Sequence, residues 1–228
     1  MKHQFQHAGK TITVYPAEAG NCPAVYLNTF AKDGDDIYRL LSQSQGPAFT
    51  LVTIGGLNWD HDMAPWDIPP VSRFDTPCTG GADDYLKCLT EEIVPQAEAL
   101  IPGGVAWRGL AGYSLAGLFA VYALYQAETF SRIASMSGSL WFPGFIEYVS
   151  AHEMIAHPTH AYFSLGDKEG RTKNPYMKTV QEDTEQIKNL YQRRGVDTLF
   201  ELNRGGHFKQ TAARTAAGIT WLLSRPSE

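Results

Sequence analysis

The chain has 228 residues, 43% of them hydrophobic, enough to bury a sizeable core as one α/β domain over residues 1–228. Its 19 basic residues are scattered and outnumbered by 24 acidic ones, and with a net charge of −5 this argues against nucleic acid or an anionic membrane surface as partner. No apolar run approaches a membrane span, the three cysteines (Cys22, Cys78, Cys88) form no short-spaced metal or redox motif, and the N-terminus opens on polar sequence rather than a secretory signal, so a cytoplasmic protein with free thiols is expected.

Residues 3–15 read as two short strands around Gly9 and Lys10, closed by Pro16. Residues 24–28 form an apolar burst of strand length. Asp33 to Asp36 supply helix N-cap chemistry ahead of Ile37, Leu40 and Leu41 at helical spacing, and residues 49–54 make the next strand. From 57 to 78 the chain is long, irregular and rich in Trp, Pro and Asp, with Trp59, His61, Trp66, Pro69 and Pro70 in it. A loop of that length in a compact domain predicts a pocket wall. Helical periodicity runs from 83 to 100, with Pro95 as a kink or break.

The sequence turns on Gly112, Tyr113, Ser114, Leu115, Ala116, Gly117, which follows one apolar run and opens another. Serine between small residues at a strand-to-helix junction is the pattern of a nucleophile elbow, where the backbone turns too tightly for side chains two residues to either side. An apolar helix over 115–126, a strand over 130–136 and a loop over 137–143 follow. Then come a strand over 161–165, a polar loop, an amphipathic helix to about 194, a strand over 198–202, and a closing helix ending near 223. Alternating strands and helices imply a mostly parallel sheet covered on both faces.

In such a sheet, loops after the carboxyl ends of the strands converge on one crevice. Ser114, the acidic loop carrying Asp167 and Glu169, and His207 all follow expected strands, in the order serine, acid, histidine. Serine needs a neighbouring base, an imidazole can take its proton and return it, and a carboxylate holds the imidazole in place. The residues alone leave Asp167 and Glu169 both open as that acid. An oxyanion would need two backbone donors, Leu115 after the nucleophile and Phe30 or Ala31 in the loop after the strand at 24–28. Trp59, Trp66 and Trp141 are candidate substrate-pocket walls. Arg171 either contacts a polar substrate or pairs with the acidic loop. His157 and His160 lack a third ligand, so no metal is expected, and no organic cofactor.

With these residues in place, the chain resembles the putative-esterase family of α/β-hydrolases, which includes enterochelin and other siderophore esterases, feruloyl esterase domains and mycolyltransferases. The resemblance rests on residues 24–27 with the aspartate-rich loop, on 53–56 with its Trp-bearing loop, on the elbow, on 137–141 and on 203–208. It implies an α/β-hydrolase fold and cleavage of a small-molecule carboxylic ester through an acyl-enzyme. It also implies that Glu169, three residues after Gly166, is the acid, and a mycolyltransferase-like first loop would make Ala31 the second oxyanion donor. Ala116 stands where relatives carry glycine, and so does Phe30. The same residues would serve an acyltransferase with an alcohol acceptor, and an inert site would leave a binding protein. Nothing in the sequence excludes a homo-oligomer.

Overall fold

The computed structural model describes residues 2–30, 34–44, 46–72 and 75–226. The chain opens with an antiparallel hairpin, β1 (His3–His7) and β2 (Lys10–Tyr15), followed by β3 (Cys22–Asn28), α1 (Gly34–Ser42) and β4 (Thr50–Gly55). The stretch expected to be irregular holds a short helix, α2 (Trp59–Asp62), and two-residue strands β5 (Asp67–Ile68) and β6 (Cys78–Thr79) that pair with each other. Sequence periodicity could not show them, because elements of two to four residues carry none.

Next come α3 (Ala82–Cys88), a π-helical turn (Leu89–Ile93) and α4 (Val94–Glu98). The helix runs on through Pro95 instead of breaking. Proline has no N–H to give to the carbonyl four residues back, and the chain accommodates it by widening the preceding turn. The remaining elements are β7 (Val105–Tyr113), α5 (Leu115–Ala123), β8 (Arg132–Met136), α6 (Phe145–Ala151), β9 (His160–Gly166), α7 (Val180–Arg193), β10 (Asp197–Asn203) and α8 (Thr211–Leu223).

Eight strands form one sheet in the order β1-β2-β4-β3-β7-β8-β9-β10. From β4 to β10 every neighbouring pair is parallel, whereas β1·β2 and β2·β4 are antiparallel. Side chains alternate across the sheet, so Ala24 and Tyr26 of β3 join a core with Leu86, Phe119, Phe145 and Ile187, while Val25 and Leu27 pack on the other face with Ile37, Leu41, Ile219 and Leu222. The helix that follows the elbow is buried from Ala116 to its end, which is why its sequence is apolar all round. No helix among the described residues is long and apolar enough to cross a membrane. With parallel strands ending side by side, the loops after β3, β7, β8, β9 and β10 share one rim, and the serine, the acidic loop and the histidine meet there.

Candidate active site

Ser114 sits between β7 and α5 with φ 59° and ψ −124°, a backbone conformation that L residues rarely adopt. The turn is tight enough that a Cβ on Gly112 would collide with the Ala116 backbone, and Ala116 itself is fully buried. Ser114 N–H donates to Met136 C=O at 3.1 Å, tying the elbow to β8. Its Oγ lies 3.1 Å from His207 Nε2, and His207 Nδ1 lies 2.8 Å from Glu169 Oε2. A carboxylate can only accept, so the Nδ1 facing it carries the hydrogen and Nε2 is left bare toward the serine.

Of the two acids left open by the residues, only Glu169 reaches the imidazole. Asp167 instead accepts the Gly205 N–H at 2.7 Å, which lowers its pKa and holds the loop that carries His207. The two loops approach so closely that a Cβ on Gly166 would strike the Gly205 carbonyl. Burial pushes the Glu169 carboxyl up, but hydrogen bonds from His207, the Ser137 hydroxyl and the Gly166 amide outweigh it and leave the pKa below its ordinary value.

A cation stands behind this carboxylate. Arg214 of α8, its side chain 2% exposed, places Nη1 3.2 Å from Oε1 of Glu169, whose side chain is 5% exposed. The same Nη1 lies 3.3 Å from both the Ser137 and the Tyr113 hydroxyls, while Nε and Nη2 have no hydrogen-bond partner among the described residues. Tyr113 in turn donates its hydroxyl to the His207 carbonyl. The signals that could have pointed to these groups were slight: one arginine in the alanine-rich helix that closes the chain, and a serine in the loop at 137–143.

The Leu115 N–H, at the first residue of α5, has no carbonyl four residues back within the helix and is available to an anion. Across from it, Thr29 gives both its N–H and its hydroxyl to the Ile54 carbonyl, at 2.9 and 3.1 Å, fixing where the loop leaves β3. Phe30 follows, its ring 78% exposed and set edge-on against Trp59. Ala31 lies outside the described residues.

These groups open into a cavity of about 830 Å³ whose walls include Phe30, Trp59, Ile68, Trp141, Phe142 and Phe208. Trp59 and Trp141 therefore line it, but Trp66 does not. Its indole packs among Phe142, Phe145 and Tyr148 and donates to the Pro143 carbonyl at 3.0 Å, buttressing the wall from behind. Nor does Arg171 reach the cavity; it is exposed beyond the acidic loop. The Cys78 thiol in the wall has its pKa pushed up to about 11 by burial and by Asp60 and Asp75, and so stays protonated and a poor nucleophile. Among the described residues, the one cluster of three potential metal donors is His7, Cys88 and Glu92, away from the cavity, where His7 and Glu92 are already joined at 2.6 Å. His157 is exposed, whereas His160 is buried beside Thr159 at 2.8 Å.

A hydroxyl backed by a bare imidazole nitrogen, a buried carboxylate behind it and a free helix N-terminus beside it can attack a carbonyl carbon and stabilise the resulting oxyanion. The sequence model of a family described as "Putative esterase" matches residues 11–211. "Uncharacterized protein YbbA" of Bacillus subtilis (strain 168) is 24% identical over 227 residues, covering 92% of this chain and 89% of that protein. Among solved structures, siderophore hydrolase EstA from Aspergillus nidulans superposes with a TM-score of 0.74 at 19% identity, covering 97% of this chain and 93% of EstA. The BES protein from Bacillus cereus does so at 0.73 and 15% identity, covering 99% and 96%. Both share this fold.

Proposed function

The chain belongs to the family described as putative esterases and is an enzyme acting on esters, and from that premise we propose that it hydrolyses carboxylic esters through an acyl-enzyme on Ser114. The observation that carries this reading is the line of hydrogen bonds from Ser114 Oγ to His207 Nε2 at 3.1 Å and from His207 Nδ1 to Glu169 at 2.8 Å. As Oγ attacks the ester carbon, its proton passes to Nε2 and the carbonyl oxygen becomes an oxyanion facing the Leu115 amide. The intermediate collapses, the alkoxide leaves with the proton from Nε2, and the acyl group stays on Oγ. Water then gives a proton to Nε2 and attacks the acyl carbon, and the acid is released as the proton returns to Oγ. Glu169 stays ionised throughout, holds Nδ1–H and offsets the imidazolium charge.

Hydrolysis of p-nitrophenyl butyrate by the parent and by Ser114→Ala tests this. The expected result is a loss on the order of 10⁴-fold or more in kcat, together with loss of covalent labelling by an alkyl phosphonate. Parental activity in the alanine variant would end the proposal.

A further inference from the structure

We propose that Ser139 is a further catalytic residue, whose hydroxyl holds the departing alkoxide oxygen, and then the incoming water, against His207. The inference rests on the acyl-enzyme reading above. Ser139 lies in the loop after β8, and its side chain and main chain meet Ser114 separately. Its N–H donates to the Ser114 carbonyl at 3.1 Å, while its Oγ stands 3.5 Å from Ser114 Oγ. The residue is 3% exposed and lines the cavity, and among the described residues its hydroxyl has no other hydrogen-bond partner.

The hydrogens can be assigned. Ser114 has a single hydroxyl hydrogen, and it points at the bare Nε2 of His207, so any hydrogen shared between the two serines is Ser139's own. When Oγ of Ser114 bonds to the acyl carbon it turns into an ester oxygen, a poor acceptor, and the Ser139 hydroxyl is released. A buried hydroxyl without a partner is costly, and the group next to it is the oxygen being exchanged at the acyl carbon. In acylation the C–O bond to the alcohol breaks, its electron pair stays on that oxygen, Nε2 supplies the proton, and Ser139 O–H donates to the oxygen as charge builds there. In deacylation water takes the same position: one proton goes to Nε2, the oxygen bonds to the acyl carbon, and Ser139 keeps its hydrogen bond to that oxygen. The Tyr113 hydroxyl is already committed to the His207 carbonyl.

A group that acts on the leaving oxygen matters more when that oxygen is a poor leaving group. The test compares kcat/KM of the parent, Ser139→Ala and Ser139→Thr on p-nitrophenyl butyrate, whose phenolate leaves readily, and on ethyl butyrate, whose ethoxide does not. For Ser139→Ala the ratio of the two values is expected to rise about five- to tenfold, the size of one hydrogen bond, with the larger loss on the ethyl ester. Threonine, which keeps the hydroxyl, is expected to restore the parental ratio. The ratio does not depend on how much of a variant is folded, so an unchanged ratio in Ser139→Ala overturns the proposal even if the variant is unstable. A parent inert toward both esters, with Ser114 unlabelled by phosphonate, would instead overturn the acyl-enzyme reading and this proposal with it.

Discussion

Replacing Arg214 with methionine isolates the charge behind the Glu169 carboxylate. Breaking a buried ion pair by removing one partner costs about 3–5 kcal/mol, because the remaining charge is stranded. Here the stranded carboxylate keeps Ser137, the Gly166 amide and His207 as donors, and the substitution removes two guanidinium nitrogens with no hydrogen-bond partner among the described residues, which places the expected loss near the lower end, about 3 kcal/mol. For a chain of this length that is roughly a 6–12 °C fall in Tm. Urea unfolding gives the value directly. Pairing Arg214→Met with Glu169→Gln removes both charges, and the double variant is expected to be more stable than the two single losses sum to, by about 2 kcal/mol. Strict additivity, or a loss below about 1 kcal/mol for Arg214→Met, would refute the claim that this pair is an energetically coupled unit.

Glu169→Gln leaves the side-chain shape but cannot hold His207 Nδ1–H as a carboxylate does, and kcat on p-nitrophenyl butyrate is expected to fall about 10²- to 10⁴-fold, whereas Asp167→Asn, which loses only the charge on a bond to a neighbouring loop, is expected to fall less than tenfold. The reverse order would make Asp167 the working acid. Because the Glu169 pKa is lower folded than its ordinary 4.5, the stability it contributes is complete above that value and is lost as pH falls through the lower folded one. Urea midpoints below about pH 4.5 should therefore drop more steeply for the parent than for Glu169→Gln, and identical slopes would contradict this.

Much of the architecture could be read from residue pattern because long, strongly apolar or alternating segments dominate it. The elbow was legible from Gly112, Ser114 and Ala116, and His207 from its glycine-flanked place after the last strand. The short elements between 57 and 79 were not, since they owe their shape to contacts with the rest of the molecule. The residues alone leave Asp167 and Glu169 both open for a similar reason, and it is the family resemblance that favours Glu169: both sit in one loop, and the path of the neighbouring loop at Gly205 decides which carboxylate meets the ring. Trp66 and Arg171 show the limit for specificity residues. An indole or a guanidinium near a site in sequence can equally be support or solvent-facing, and here they are those things. Arg214 was hardly legible, because its one carboxylate contact among the described residues is 45 positions away.

The groups around Ser114 come from five stretches of chain, the last of them Arg214 on the helix ending at Leu223. During synthesis, then, none of the chemistry can begin until the chain through Arg214 has left the ribosome. A chain that stops before His207 would be an inert product rather than a slow enzyme, and growing chains would stay silent until that segment had emerged and packed.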